Sequence, residues 1–292
     1  MPGARGCLLP PPPWKTEISG VFSRAVALSL PGGLLLSVIR DEEGLEALAL
    51  WPGPGEFEDL GALAARGMGG DLEARERLVY RLEALYSSAE PWDPRPRLAR
   101  LSRASAEGKF KQLATEAGVR EAVAEADTGR PASRGLSGVL GPGGDDTIRG
   151  DGPFGRAFMA LARREDFPAA LVGFGPGTTP AGDDWLAGFL CAADLASGLG
   201  PGKAENALRE EIKKRLERTT DAGRSLLSAS IEGIPPRFLC TLAEAATEAG
   251  DIRRAVAAAL AHGASSGRDS IDGFLAALRK YDATAEARPA LY

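Results

Sequence analysis

The sequence has 292 residues, a net charge of −5 at neutral pH and a hydrophobic fraction of 44%. This length predicts one large domain or two ordinary ones, and the acidic balance argues against a nucleic-acid-binding protein. No stretch of sequence is apolar enough over a sufficient length to cross a bilayer. Three scattered cysteines are typical of reduced thiols, so we expect a cytoplasmic protein without a membrane partner.

The first region, residues 15–95, is predicted to be a β-rich domain. It is preceded by a segment with four consecutive prolines, which predicts a loose tail. Apolar runs separated by turn residues, from Ile18 to Trp51, predict a β-meander. Residues 56–67 predict a short helix, whereas residues 71–86 fit either a helix or a strand.

The second region, residues 96–153, is predicted to be a helical segment followed by a linker. Residues 97–127 are polar and have alanines at helical spacing. Residues 128–155 are rich in glycine and proline, which predicts a loop or linker. Within it, GPGGDD at 141–146 is interpreted as a flexible turn because no apolar helix follows.

The third region, residues 154–292, is predicted to be a helical domain. The whole chain is therefore expected to be α+β, with a β-rich part followed by a mostly α-helical part. Helices are predicted from apolar spacing and capping residues at 154–165, 182–197, 203–218, 222–232, 236–249, 251–261 and 268–281. The charge run of 203–218 is interpreted as a solvated face.

A nine-residue motif occurs twice in this helical part. GDDWLAGFL at 182–190 and GRDSIDGFL at 267–275 share five identical positions. Asp184 aligns with Asp269, and Gly188 aligns with Gly273. Both copies follow a pair of hydroxyl residues, so each predicts a helix start that is capped by Ser or Thr. We expect the two glycines to allow close helix packing and the following Phe-Leu pairs to face the core.

Two such helix starts, if they converge, would line one polar pocket. Helix N-termini bind anions through their free amides, and a carboxylate at the same place can handle a proton. The repeat favours Asp184 and Asp269 for this role, and Asp183 for a capping role. The predicted ligand-binding residues of the two motifs are Gly175, Gly177, Thr178, Thr179, Gly182, Asp183, Ser265, Ser266 and Gly267. The alternative is that both motifs are ordinary helix caps.

His262 is the only histidine and directly precedes the second motif. It is either a third catalytic residue or a group that caps and packs a helix end. The spacing of histidine, cysteine and carboxylate residues does not predict a zinc site. Two aspartates would hold Mg²⁺ only if substrate and water supplied the other ligands, so we expect no cofactor, with Mg²⁺ as the alternative.

The motifs resemble those of the bacterial AllH-like family. The resemblance is carried by GFGPGTTPAGDDWLAGFL at 173–190, by the Thr/Ser segment 219–230 and by HGASSGRDSIDGFLAAL at 262–278. It implies that Thr220 and Ser225 also line the pocket. One position departs from the family pattern, since Thr178 stands where the family often has a large apolar residue.

The resemblance implies a function in ureide breakdown, the anaerobic catabolism of the purine product allantoin. The family's namesake is a subunit of oxamate carbamoyltransferase, which interconverts oxamate plus carbamoyl phosphate with oxalurate plus phosphate. The implied ligand is a small anion such as phosphate, carbamoyl phosphate or an oxamate-like molecule, and the implied partners are FdrA-like and AllG-like subunits. Two other interpretations stay open: a metal-assisted hydrolase or lyase that uses Asp183, Asp184 and Asp269, and a non-catalytic ligand-binding or scaffold subunit.

Overall fold

The computed structural model describes residues 3–107, 112–127, 136, 153–248 and 250–281. The chain divides into two compact units, Met1–Asp93 and Pro94–Tyr292. A six-stranded sheet lies in the first unit and helices predominate in the second, which confirms the predicted α+β class. Within the described ranges, we find no helix with the length and apolar character needed to span a membrane.

The first unit is built on one mixed sheet. Its strands are β1 (Ala4–Gly6), β2 (Glu17–Val21), β3 (Ala25–Leu30), β4 (Leu34–Ile39), β5 (Ala49–Trp51) and β6 (Glu90–Trp92). They are arranged in the order β2-β3-β4-β5-β1-β6. Strands β2, β3 and β4 form an antiparallel ladder in which Val26 lies opposite Val38 and Leu28 lies opposite Leu36.

Two features of the sheet differ from the sequence predictions. The predicted loose tail contains β1, which pairs antiparallel with β5 and parallel with β6. Ala-Arg-Gly has weak strand propensity, so the pairing with two neighbours fixes this conformation. The predicted meander ends at β4, because β5 runs parallel to β4. The connecting residues 40–48, which include a 3₁₀ turn at Glu42–Gly44, return the chain to the end where β4 begins.

Two helices, α1 (Phe57–Met68) and α2 (Leu72–Ser88), complete the first unit. Helix α1 confirms the prediction for 56–67, and α2 shows that the ambiguous segment 71–86 is helical. Both helices bury apolar residues at intervals of three or four, as an amphipathic helix requires. The core that they form with the sheet includes Val26, Leu28, Leu36, Phe57, Leu60, Ala74, Leu78 and Leu82.

The described elements of the second unit are helices joined by turns and loops. Its helices are α3 (Arg95–Ala106), α4 (Gln112–Asp127), α5 (Pro153–Ala162), α6 (Ala181–Ala196), α7 (Asn206–Lys213), α8 (Asp221–Ile231), α9 (Arg237–Thr247), α10 (Ile252–Leu260) and α11 (Ser266–Lys280). Six of the seven helices predicted after residue 153 are confirmed within a few residues. The predicted glycine-rich linker, 128–155, lies outside the described residues except for Leu136 and 153–155.

The helix predicted at 203–218 is the exception, since α7 begins later and ends earlier. The backbone amides of residues 202–204 donate to the carboxylate of Asp194 in α6, at 2.7 to 3.2 Å. Glu205 then adopts a left-handed φ of 55° before α7 starts. Arg209 is buried and donates to the same carboxylate at 2.8 Å. The predicted solvated face therefore contains a buried ion pair.

Candidate functional site

The two helices that carry the repeated motif, α6 and α11, run parallel. Near their starts, the hydroxyls of Thr179 and Ser266 lie 3.2 Å apart and share a hydrogen bond. Near their ends, the Tyr281 hydroxyl donates to the carboxylate of Glu205 at 2.9 Å, and the backbone amides just before Glu205 donate to the carboxylate of Asp194. Asp194 belongs to α6 and Tyr281 directly follows α11. Both starts therefore lie at one end of the helix pair and both ends lie at the other.

The matched glycines form the contact between these helices. A Cβ atom added at Gly188 would overlap the carbonyl oxygen of Ser270, and one added at Gly273 would overlap the carbonyl oxygen of Trp185. Each glycine thus lies against the residue three positions before the other glycine. The two contacts are equivalent under the repeat, so the helices pair through a local two-fold relation. This confirms the predicted packing role of both glycines.

The residues that follow these glycines are buried, as the motif predicts. Phe189 and Phe274 are at most 5% exposed, and the adjoining leucines are also buried. Trp185 stacks on Phe189 with ring centroids 5.1 Å apart. The ring of Phe167 lies 6.2 Å from Trp185, so the aromatic cluster continues from α6 into the segment before it. The helix starts therefore rest on a well-packed apolar base.

The start of a third helix, α8, lies against the start of α6. The hydroxyl of Thr220 donates to the carbonyl of Thr178 at 2.6 Å, and the hydroxyl of Thr219 donates to the carboxylate of Asp183. Thr220 also caps α8, since its oxygen accepts from the amide of Gly223 at 3.0 Å. The N-termini of α6, α8 and α11, each with a partial positive charge, thus lie close together.

The loop before α6, residues 173–180, is shaped by its glycines. Gly173, Gly175 and Gly177 have φ angles of 74°, 104° and 116°. These lie in the left-handed region, which side chains other than glycine rarely adopt. Residues 176–178 are exposed, whereas the first turn of α6 beneath them is buried. The loop is therefore the exposed surface of this group of helix starts.

The carboxylates of the two motifs are buried. Asp183 and Asp269 are fully buried and Asp184 is 4% exposed. That Asp184 and Asp269 line one pocket stays a prediction. An oxygen of Asp269 accepts from the amide of Leu136 at 2.6 Å. Asp183 accepts from the amide of Gly173 at 2.8 Å and from Thr219. Burial raises the pKa of Asp183 to about 6, and these two hydrogen bonds oppose the increase.

The predicted capping arrangement is wrong for the two motif helices. The residue before α6 is Pro180, which has no side-chain donor or acceptor, and in the described part of the chain the Ser265 side chain makes no capping hydrogen bond to α11. The hydroxyls of Thr179 and Ser266 contact each other instead. Asp183 does not cap α6 either, because its side chain reaches back to the loop and across to α8. Thr220, by contrast, does cap its helix, α8.

The first glycines of the two motifs also have packing roles. A Cβ at Gly182 would overlap the carbonyl oxygen of Leu171, and one at Gly267 would overlap that of Ala259. The amide of Gly267 donates to the carbonyl of His262 at 3.1 Å. These positions require glycine because the preceding backbone approaches closely, not because their own φ angles are unusual.

Other predicted site residues have defined contacts near the same end. The His262 ring packs on Phe238 with centroids 4.5 Å apart, and the Ser225 hydroxyl donates to the carbonyl of Asp221 at 2.9 Å. Arg268 lies within the second motif, is buried and forms an ion pair with Asp272 at 3.2 Å. Whether His262 and Ser225 contact a ligand stays a prediction.

Sequence reasoning missed three residues that hold the two ends of α6. Thr219 and Gly223 contact Asp183, and Arg209 pairs with Asp194 at the opposite end of α6. In the sequence, only the adjacent threonines at 219–220 and the glycine within a predicted helix could have indicated these contacts.

Across the residues that the structure describes, no group of three or more His, Cys, Asp or Glu side chains has the geometry to hold a metal ion.

Comparison with known families adds one finding to this geometry. Residues 171–278 match the family model for oxamate carbamoyltransferase subunit AllH. The match confirms, for this segment, the AllH-like resemblance carried by the motifs, and it includes the glycine loop and the starts of α6, α8 and α11. No curated protein and no solved structure matched the chain.

Proposed function

We propose that this chain is a subunit of an oxamate carbamoyltransferase-like enzyme and that it binds a small anionic substrate where the three helix starts meet. One observation carries the proposal: the glycine loop and the starts of α6, α8 and α11 are grouped together, and all of them lie in the AllH-like segment. The name of that family supplies the reaction class. It also implies partner subunits, for which FdrA-like and AllG-like proteins are the proposed candidates.

Backbone amides are the proposed donors to the substrate anion. Two arginines of the motifs and of the Thr/Ser segment are engaged in ion pairs, since Arg268 pairs with Asp272, and Arg224 contacts Asp221 and Glu217. Helix N-termini and glycine-rich loops bind phosphate groups through N–H groups without a basic side chain. The exposed loop residues 176–178 are the part of the site that a ligand can reach first.

The proposed reaction needs one proton acceptor as well as an anion site. Transfer forms a C–N bond between the oxamate nitrogen and the carbamoyl carbon, breaks the carbon–oxygen bond to phosphate and releases a proton from the nitrogen. Asp184 and Asp269 are the proposed acceptors, because they occupy equivalent positions in the two motif copies. Donors placed at the developing negative charge would lower the barrier further.

The proposal is tested by ligand-induced stabilisation of the full-length chain. We expect carbamoyl phosphate or inorganic phosphate to raise Tm, since a ligand at about 100 times its Kd stabilises a protein by about 2.7 kcal/mol. Asp184→Asn should keep this increase, because backbone amides hold the anion, and should leave the Tm of the free protein within a few degrees, but it should abolish carbamoyl transfer by the chain assembled with its partner subunits. The matched control is Asp251→Asn. Asp251 caps the start of α10, and His262 follows the other end of that helix. Asn caps a helix as well as Asp does, so this variant should behave like the wild type.

Other outcomes would favour the alternative functions. If Mg²⁺ or Mn²⁺ alone raises Tm and Asp184→Asn or Asp269→Asn removes the effect, the metal-assisted hydrolase or lyase is favoured. If none of carbamoyl phosphate, phosphate, oxamate and oxalurate changes Tm, the anion site is wrong as proposed. A stable complex with partner subunits in that case would favour the scaffold function.

A further inference from the structure

The first of the two adjacent aspartates is tied to the protein through both of its carboxylate oxygens. One oxygen of Asp183 accepts from the amide of Gly173 at 2.8 Å, and the other accepts from the hydroxyl of Thr219. The side chain has no exposed surface. Asp183 therefore connects the base of the glycine loop to the residue two positions before α8.

A second tie lies nearer the tip of the same loop. The Thr220 hydroxyl donates to the carbonyl of Thr178 at 2.6 Å, while its oxygen accepts from the amide of Gly223 at 3.0 Å. One hydroxyl thus caps α8 and holds the exposed part of the loop. A hydroxyl can do both because it carries one donor and two acceptor lone pairs.

Gly223 makes room for the hydrogen bond between Asp183 and Thr219. It lies in the first turn of α8, where alanine would favour the helix by about 1 kcal/mol. A Cβ at this position would overlap both the Asp183 carboxylate and the Thr219 hydroxyl. The glycine therefore leaves the space that the hydrogen bond between those two side chains requires.

We infer that Asp183, Thr219 and Thr220 form a clamp that positions the glycine loop 173–180 over the helix starts. The clamp holds the loop at its base, through Asp183 and Thr219, and near its tip, through Thr220. This inference rests on the proposed function in one respect, namely that the loop contacts the ligand. The three residues act through the loop, because their side-chain oxygens are engaged in protein hydrogen bonds, and they are positioning residues rather than catalytic ones.

The clamp is tested first without any ligand, by backbone amide hydrogen exchange of residues 173–182 in the full-length chain. Thr219→Val removes the donor to Asp183 and should increase the exchange rate of the Gly173 amide about tenfold, the effect of losing one hydrogen bond to a charged group. Thr219→Ser keeps the donor and should restore the slow exchange. Thr247→Val is the matched control, because that hydroxyl donates only to Ala243 within α9 among the contacts of the described chain.

A second variant separates the clamp from helix capping. Thr220→Asp keeps an acceptor for Gly223, since Asp caps helices as well as Thr does, but cannot donate to Thr178 when ionised. We expect faster exchange of the Gly182 amide, which donates to the carbonyl of Phe174 across the loop at 2.8 Å, with little change in Tm. Exchange rates that stay at the wild-type value in both Thr219→Val and Thr220→Asp would overturn the clamp. If Thr219→Val fails to fold, Thr220→Asp alone still tests whether the clamp exists.

Binding of carbamoyl phosphate and inorganic phosphate, measured by calorimetry, then tests the positioning role. Thr219→Val should weaken the Kd about tenfold, and Thr219→Ser should restore it. Faster loop exchange with an unchanged Kd would overturn the positioning role. If the wild-type chain binds neither compound, the proposed function fails, while the exchange experiment still decides whether the clamp exists.

Discussion

Gly188 and Gly273 show how one missing side chain sets a helix contact. Each lies against a backbone carbonyl of the partner helix, and a Cβ there would overlap that oxygen. A backbone atom in a packed helix pair cannot move aside as a flexible side chain can. We expect Gly273→Ala to lower the free energy of unfolding by about 1–3 kcal/mol, as overpacked core substitutions do, measured by urea denaturation.

The same substitution at Gly118 is the control for this prediction. Gly118 lies in α4, and a Cβ there would be 3.4 Å from the end of the Ile252 side chain, an ordinary contact. Because alanine favours helices over glycine by up to about 1 kcal/mol, Gly118→Ala should be neutral or stabilising. Equal losses for both variants would contradict the packing role of Gly273.

Asp183 gives a second prediction at the scale of one residue. Its pKa is raised from 3.8 to about 6, mainly by burial. A carboxyl whose folded pKa is raised stabilises the fold at low pH, and this contribution is lost as pH rises through about 6. Relative to Asp183→Asn, the wild-type protein should therefore lose about 2 kcal/mol of stability between pH 4 and pH 7.

The measurement for Asp183 is denaturant unfolding of both proteins across this pH range. The same substitution at Asp221, which is exposed at the start of α8, tests whether the effect depends on burial. A constant difference between wild type and Asp183→Asn from pH 4 to pH 7 would show that Asp183 is not desolvated as described.

At the scale of elements, one buried ion pair joins the ends of three helices. Arg209 in α7 donates to Asp194 in α6 and also to the carbonyls of Ser230 and Ile231 at the end of α8. Burial raises the pKa of Asp194, and Arg209 together with the backbone amides of residues 202–204 offsets part of that increase. The pair thus supports α6 at the end opposite to the candidate site.

Removing one partner of this pair should be costly. Arg209→Ala leaves the buried Asp194 carboxylate without its cation, which typically costs about 3–5 kcal/mol. Lys213→Ala is the control on the same helix, because its ion pair with Glu210 is exposed and such pairs contribute at most about 1 kcal/mol. Thermal and urea unfolding of both variants check the difference, and similar losses for the two would contradict the anchoring role.

At the scale of the whole molecule, sequence patterns predicted the helices and contacts that depend on the spacing of nearby residues. Apart from α7, the helices from α5 to α11 follow the predicted apolar periods, and the repeat identified Gly188 and Gly273 as a matched pair. The patterns failed where distant residues determine structure. Strand β1 is fixed by pairing with β5 and β6, and α7 is shortened by Asp194, which lies eight residues before the first amide that it binds.

In the candidate site, too, the sequence predicted features that depend on nearby residues and failed for contacts between distant ones. The motifs indicated which residues gather at the starts of α6 and α11, because helix starts have a local composition. They did not indicate that Thr219 reaches Asp183 across 36 positions, or that the hydroxyls of Thr179 and Ser266 bind each other rather than the helix ends. Side-chain partners of this kind depend on how helices pack, which a single sequence does not specify.

The division into two units yields a prediction for the whole chain. The unit Pro94–Tyr292 contains the entire AllH-like segment and begins at α3. We expect a protein truncated to residues 94–292 to fold cooperatively, with a helical circular dichroism spectrum and one thermal transition, because domains with their own core fold independently.

A slightly shorter protein, residues 107–292, is the control for that boundary. It lacks α3, in which Leu98 and Leu101 are buried. Ser102 of α3 donates to the carbonyl of Asp194 at 3.0 Å. Arg97 of α3 forms ion pairs with Glu244 and Glu248 of the α9 region. Loss of these contacts should remove or strongly lower the thermal transition, since burying two leucines alone contributes about 3–6 kcal/mol. A cooperative transition in 107–292 at the same Tm as in 94–292 would place the boundary of the helical unit after α3. Failure of 94–292 to fold would mean that the helical unit depends on the sheet for its stability.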